Sequence, residues 1–569
     1  MDIRSPGSAL IERLLAESDR RRFLDAAAVE KVSLALSLPS SRGFAIAGQL
    51  EHFRFSRPAD HALGICHGPA CVLAGSRRLL SATEEALAGG DRDMEVATLM
   101  GSPYWHLPIM ATLEDSGGTG AVHKIDPNSA EALISFSQGE KASGIRPLDT
   151  KRESRKAHLR GNSGLSADLR AARKNTSVSG YLKTRGSAVK RFLYENEPAA
   201  VQRLIRGLRL LNPISGYELA DDIATLVQDD ESSRLVVCDV GGADPENGPG
   251  PVLAAADPFG VITGMLVAAR AAGSESALLF VPYEDTELRA LFARAIDGLR
   301  GRPVLRGVEI RLFSAPNLIP CDREIGIASL YRGLTLSEGV SMARESTRRL
   351  WGFETVMSEP EVFLKLSRLV DGDPGSRQTK GAGTRLLSVG GRVKEPGIAE
   401  ASMAAITGEV IADLAGGLAE GSVLKAVHFG GAYGGPLRPP ALKSRLQNVL
   451  GRLDGVAAGQ MLVIDRSTCM VQWSEYFAWL GERLCCGACV PGRLGPSYVQ
   501  RLLKKIVMGQ GELTDLEEIR ATVELMKDGS LCAQGSRVLN PVIVCLENFS
   551  GEFEEHITER KCAAGVCWP

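Results

Sequence analysis

The sequence predicts an α/β multidomain chain, and three observations carry that expectation. Its 569 residues, 44% hydrophobic and 24% charged, are enough for three or four domains, each with a core of its own. From Arg234 to about residue 335, short apolar runs (RLVVCDV, LLFVPY, GVEIRLF) alternate with helical stretches, one running through Leu299. Strands alternating with helices are the signature of an α/β sheet. Twelve cysteines include close clusters, and no export signal precedes them. That usage fits metal or cluster chemistry in a reducing, cytoplasmic compartment better than a disulfide framework.

The charge balance narrows the class further. With 66 basic and 68 acidic residues, a net charge of −2 gives no general electrostatic case for nucleic acid or anionic membrane as a partner. No uninterrupted apolar run approaches ~20 residues, so no membrane span is expected. The opening MDIRSPGSALIERLLAESDRRRF lacks a secretory apolar segment and reads as a polar-faced helix.

Taken in order, helical patterning leads to a strand ending at Cys66, with a helix beginning after Gly75. Residues 112–190 are rich in Ser, Gly, Lys and Arg, which suits a solvated linker lying along a partner. ENEPAAVQRLIRGLR reads as a helix, and the strand and helix alternation follows it. Residues 384–470 hold TRLLSVGGRVKEPG and VLKAVHFGGAYGGP, and residues 471–545 are helical and carry Cys485, Cys486, Cys489 and Cys532. In AVHFGGAYGG, His428 reads as a packed histidine and not a base, and Asp465 as a local cap. The tail, Cys545-x10-His556-x5-Cys562-x4-Cys567, offers three thiolates and one imidazole. That donor set suits tetrahedral zinc, which would staple a tail too short to pack by itself.

The run CCGACVPGRLG (Cys485 to Gly495), with GSLCAQG around Cys532, resembles the cluster signature of the NADH-binding flavoprotein (51 kDa-type) subunit of respiratory complex I. Its soluble relatives include the diaphorase subunits of NAD-linked hydrogenases and formate dehydrogenases. Cys66-x4-Cys71 before Gly-Ser and a helix is similar to the 24 kDa-type thioredoxin-like two-iron ferredoxin joined to that subunit. The resemblance implies five regions: a degenerate ferredoxin-like domain (1–140), a linker (141–190), a degenerate flavin and NADH domain (191–370), a β-grasp-like domain (371–470) and a helical iron-sulfur-type bundle with a Cys/His tail (471–569).

It also implies ligands that this chain lacks. The family's four-iron cluster takes a Cys-x2-Cys-x2-Cys triplet plus one remote cysteine, because four thiolates cage it. Here the triplet reads Cys486, Cys489, Gly492, so only Cys486, Cys489 and Cys532 remain for a residual cluster. A three-iron cluster, or a fourth ligand from Cys469 or solvent, would complete it; adjacent Cys485 is expected to point elsewhere. Leu99 and Pro103 stand in two ligand places of the two-iron centre. The flavin's glycine-rich loop is replaced by Leu210 to Ser215, including Pro213 and Ile214. Two of three acidic groups in the following loop are glycines, in Cys238-Asp239-Val240-Gly241-Gly242-Ala243-Asp244-Pro245. A Gly-Glu-Glu-Thr turn aligns with Cys321 to Glu324, and an Asn-Asn-Val-Glu-Thr stretch with Trp351 to Thr355.

Ligand types are therefore lost in four stretches while Gly390-Gly391-Arg392-Val393 and Pro396-Gly397 remain. This predicts a pseudoenzyme without FMN or NAD(H), a non-catalytic structural or assembly subunit of a redox complex. Its expected partners are hydrogenase-, formate dehydrogenase- or complex I-like subunits, or a second copy. The competing expectation is an active NAD(H)-dependent oxidoreductase subunit with atypical FMN and four-iron sites.

Overall fold

The structure is a computed structural model that describes residues 6–57, 61–87 and 177–568, the last apart from 228–232, 243–247, 347–349, 372–382 and 452–458. Between 88 and 176 it describes β-strands and a few single positions. Three sheets and a helical C-terminal unit make up the architecture.

The first sheet has the order β2-β1-β3-β4-β5: β1 (His61–Cys66), β2 (Met94–Leu99), β3 (Met110–Asp115), β4 (Gly118–Ile125) and β5 (Ile145–Pro147). Only β1 and β2 run parallel, in a register that sets Cys66 beside Leu99. Pro103 and the expected boundary at residue 140 lie outside the described residues. β6 (Leu159–Arg160) reaches past this sheet and pairs in the third one.

The second sheet, β10-β7-β8-β9, is wholly parallel: β7 (Arg234–Asp239), β8 (Ser276–Phe280), β9 (Glu309–Phe313) and β10 (Glu354–Ser358). Both faces are covered, so β8 is buried along its whole length and reads as a continuous apolar run. Helix Pro258–Ala272 is buried at every position but Arg270. Gly264 lets it close on a second helix, Pro360–Ser367, since a Cβ there would collide with the Phe363 backbone. The bend between helices Gly250–Ala256 and Pro258–Ala272 is a bend inside this core; among the described residues no single helix is long and apolar enough to cross a membrane. The opposite face packs against the N-terminal helices, where Leu10, Leu14 and Val29 share one core with Leu235, Val237, Phe313 and Tyr331.

The linker expected over 141–190 is helical by its end. Residues 178–195 form consecutive helical turns that bury Tyr181, Val189 and Leu193, with Tyr181 stacked on Phe259. Apolar positions spaced among the basic ones decide this, because the polar residues occupy the outer face.

The third sheet, β14-β13-β15-β11-β12-β6, comprises β11 (Thr384–Gly391), β12 (Gly397–Ser402), β13 (Leu424–Phe429), β14 (Gly435–Leu437) and β15 (Gln460–Asp465) with β6 at its edge. Gly391, at φ +79°, lies against the Val463 backbone where no side chain fits. Helices Met470–Leu484, Val490–Val507, Leu513–Gly529, Ala533–Arg537 and Asn540–Thr558 complete the chain.

Candidate functional site

The stretches where the resemblance implies ligands that this chain lacks are bonded to one another or to neighbouring residues. Asp239 ends β7, and Arg323 opens the helix Arg323–Arg332 after β9. Arg323 donates from Nε to Asp239 Oδ2 at 2.7 Å and from Nη2 to Oδ1 at 2.8 Å, a two-pronged pair. Its remaining donors reach Asn317, at the carbonyl (2.7 Å) and the side-chain oxygen (3.1 Å). Burial alone would lower the Arg323 pKa, but the Asp239 carboxylate raises it, so the guanidinium stays charged. The guanidinium lies directly against Gly241, where a Cβ would collide with it, and a Cβ at Gly242 would meet the Glu359 carboxylate at 3.4 Å. Two positions that are acidic in the family are glycine here, and cationic and anionic side chains from elsewhere fill their space.

The other replaced stretches behave alike. Asn212, within the loop that stands for the glycine-rich turn, is buried with its amide fully used. It donates to the Met357 carbonyl (2.9 Å) and Asp222 Oδ2 (2.7 Å), and accepts from Ser358 Oγ (2.9 Å) and the Ile214 N–H (3.2 Å). This stitches residues 212–214 onto the end of β10. Trp351 Nε1 donates to Glu324 Oε1 at 3.0 Å. Desolvation lifts the Glu324 carboxyl, against that hydrogen bond and helped by Asp322 and Asp222, to about 7. Residues 243–245 lie outside the described residues.

A nest of thiols lies where the helical unit meets the parallel-sheet region. Cys485 ends helix Met470–Leu484, Gly487 turns the chain at φ +70°, and Cys489 caps the start of helix Val490–Val507. Cys532 caps the short helix Ala533–Arg537. Backbone N–H groups already serve two of the sulfurs, Ala488 that of Cys486 and Gly535 that of Cys532. Cys321, buried after β9, lies near Cys486, and its influence pulls the Cys486 thiol down to about 6. The same contact, with burial, holds Cys321 well above the ordinary thiol range. A Cβ built on Gly492 would lie 3.2 Å from Cys489 Sγ and 3.9 Å from Cys485 Sγ. The expectation was that Cys485 points elsewhere; the chain leaves its helix in extended conformation at Cys485, and its Sγ lies beside position 492.

The tail forms a second, tighter group. Ligand atoms of Cys469, His556, Cys562 and Cys567 all lie within 4.8 Å of one another. Cys469 Sγ is 3.3 Å from His556 Nε2, which is 3.4 Å from Cys567 Sγ, and the two sulfurs are 3.5 Å apart. His556 Nδ1 donates to the Glu552 carbonyl at 2.6 Å, which leaves Nε2 facing the thiols. Cys562 accepts from the Val566 and Cys567 N–H groups. Glu552 reaches both Lys425 and the Met470 N–H, and Lys425 reaches the Thr468 carbonyl, so residues 468–470 are held one helical turn from His556.

Cys545 does not belong to this group. It lies eleven residues before His556, with the non-helical Phe549 kinking the chain between them, and it is not among the four residues whose ligand atoms converge. Its buried S–H donates instead to the Met470 carbonyl at 3.4 Å. Cys469 takes the fourth place, so it is not the missing ligand of the Cys486, Cys489 and Cys532 set. Nothing local in the sequence marks that pairing, since 87 residues separate Cys469 from His556. The donor chemistry fits a tetrahedral thiolate and imidazole site for zinc.

His428 is a packed histidine. Its Nε2 donates to the Gly431 carbonyl (2.7 Å), Nδ1 accepts from Trp473 Nε1 (3.2 Å), and burial lowers it to about 4. Asp465 accepts from the Ser467 N–H and hydroxyl, as a local cap does. Cys66 and Cys71 are both buried, at the end of β1 and in helix Pro69–Ala74.

Comparison with known proteins agrees with these features. Residues 473–556 match the NADH-ubiquinone oxidoreductase-F iron-sulfur binding region, and residues 2–97 match the thioredoxin-like 2Fe-2S ferredoxin. The HndC subunit of the NADP-reducing hydrogenase of Solidesulfovibrio fructosivorans is 25% identical over 407 residues, 69% of this chain and 83% of that protein. The F 2 subunit of the NADH-quinone oxidoreductase of Rhizobium meliloti is 25% identical over 347 residues, 58% of this chain and 82% of its own length. The structure of an NAD+-reducing NiFe hydrogenase in the H2-reduced state superposes with a TM-score of 0.76, covering 98% of this chain and 93% of the other at 20% identity, which establishes the shared fold. The chain is a homologue of the NADH-binding flavoprotein subunit joined to a thioredoxin-like ferredoxin segment.

Proposed function

We propose that this chain is a flavin-free, non-catalytic subunit of a multi-subunit redox complex, retained as a structural or assembly element. One observation carries the reading: Arg323, paired with Asp239, and Asn317 occupy the space beside Gly241, and the Glu359 carboxylate borders Gly242, the two positions where the family resemblance puts ligand-binding acids. A buried ion pair with its donors used leaves no unsatisfied group for a phosphate or isoalloxazine to meet. Asn212 supports the same reading, because its amide has no capacity left for a ribityl or phosphate contact. A fold does not bring its chemistry with it.

The partners follow from the relatives, which are described as subunits of a hydrogenase and of NADH-quinone oxidoreductases. Subunits of that type, or of a formate dehydrogenase, would dock this chain; a second copy of it is the other candidate. Zinc at Cys469, His556, Cys562 and Cys567 would brace the tail against the helical unit. With Leu99 in one ligand place, the ferredoxin-like segment would fold without a two-iron centre.

The test is chemical analysis of the full chain purified by itself. No FMN should be released on denaturation, and NADH should not reduce viologen dyes through this chain. Stoichiometric FMN would overturn the reading and favour an active NAD(H)-dependent oxidoreductase. A two-iron paramagnetic signal lost in Cys66→Ser would overturn the ferredoxin part separately.

A further inference from the structure

Gly492 removes one thiolate from the family's four, yet the space it leaves is bordered by sulfur. The Cβ that a residue at 492 would carry lies 3.9 Å from Cys485 Sγ and 3.2 Å from Cys489 Sγ. A cysteine at 492 would place its sulfur one C–S bond beyond that Cβ, in the neighbourhood that Cys485 Sγ borders. We propose that Cys485 is the fourth protein ligand of a four-iron cluster held by Cys486, Cys489 and Cys532, in the place that Gly492 vacates.

Two further observations concern these four thiols. Among the described residues these four sulfurs do not draw together as tightly as a single ion requires, whereas the tail group does; a cubane separates its ligand sulfurs more widely than one ion does. Backbone N–H groups of Ala488 and Gly535 already point at the Cys486 and Cys532 sulfurs, the kind of donor that neutralises cluster-bound thiolate.

Cys321 is the competing thiol, and its geometry assigns it a different part. It follows β9 in the parallel-sheet region and is not among the atoms within 4 Å of a Cβ at 492, which are the sulfurs of Cys489 and Cys485. As a donor to a cluster sulfur it would tune the reduction potential without holding iron. On ligation the four thiols lose their protons, which makes assembly pH-dependent.

A cluster can sit in a subunit with no flavin, so the assignment of Cys485 stands apart from the flavin reading. The experiment is anaerobic reconstitution of the full chain with ferrous iron and inorganic sulfide, followed by iron and acid-labile sulfide analysis and paramagnetic resonance. Wild type should take up about four irons and about four sulfides per chain and give a signal on dithionite reduction. Labile sulfide distinguishes this cluster from iron captured by the tail, where a mononuclear ion binds none.

In Cys485→Ala the content should fall to about three irons with a signal in the oxidised state, or to none. Cys321→Ser should keep the iron and move the potential. The double variant Cys485→Ala with Gly492→Cys should restore about four irons. Position 492 has helical backbone, which a side chain can adopt, and a Cβ there needs Cys489 Sγ, at 3.2 Å, to shift slightly; restoration would also show that Cys485→Ala had not merely unfolded the nest. Full iron content and an unchanged spectrum in Cys485→Ala would overturn the assignment. So would loss that Gly492→Cys does not restore, or wild type that takes up no labile sulfide.

Discussion

The parallel-sheet region and the helical C-terminal unit have both lost ligands that the resemblance implies, and the consequences differ. In the first, each departure is answered by an internal partner: Arg323 by Asp239, Trp351 by Glu324, and Asn212 by Ser358 and the Met357 carbonyl. In the second, the departure at Gly492 leaves thiols facing thiols, and the tail brings four metal-ligating side chains together. A site that closes does so by satisfying its own polar groups, because burying them unpaired costs about 1–3 kcal/mol each and more for charges. A site that remains able to bind keeps converging donors of one type.

The strongest way to sharpen that contrast is to strip the tail. About one zinc per chain is expected by elemental analysis, and Cys562→Ser or Cys567→Ser should abolish it. Structural zinc contributes apparent binding energies of about 10–16 kcal/mol in small fingers, so residues 559–568 should become protease-sensitive while the upstream sheets hold. Metal content that survives both substitutions would place the ion elsewhere.

Breaking the closed region should cost less. Arg323→Ala strands a buried Asp239 carboxylate and should destabilise by about 3–5 kcal/mol, read as a fall in the urea midpoint. Replacing the pair together by apolar residues of similar volume should recover most of that loss. If Arg323→Ala leaves the midpoint unmoved, Asp239 is not committed to this pair.

The third effect is a pH dependence. Glu324 has a folded pKa of about 7, against an ordinary value of 4.5. A carboxyl raised on folding binds more protons in the native state, so its contribution is fully present below about 4.5 and lost as pH rises to about 7. The loss is on the order of 3 kcal/mol, and Glu324→Gln should flatten the stability profile across that window. An unchanged profile in that variant would remove Glu324 as its source.

Smaller still, Asn212→Ala should cost about 1–3 kcal/mol by stranding Ser358 and the Met357 carbonyl. Cys545→Ala should leave the metal content of the tail unchanged, and any drop in zinc there would restore Cys545 as a ligand.

Much of this was legible along the chain. The α/β class came from alternating apolar runs such as RLVVCDV and GVEIRLF, whose residues form β7 and β9, and their burial follows from local composition. The losses at Leu210 to Ser215 and at Gly241 and Gly242 were equally plain, as was the gathering of thiols and one histidine in the tail. The basic stretch before residue 190 was less readable, because its apolar positions are spaced for a helix among many charges.

Tertiary structure alone decided which donors meet. Cys545 and His556 lie on helical segments either side of a kink at Phe549, and Cys545 stays outside the converging group, while Cys469, at the start of helix Met470–Leu484, is held beside His556 through Glu552 and Lys425. Cys485 enters its nest only because its helix ends there and Gly487 turns the chain back. Sequence spacing fixes distance along one element, and so it determined the residue types of the sites. The membership of each site depends on contacts between elements far apart in the chain, which only packing sets.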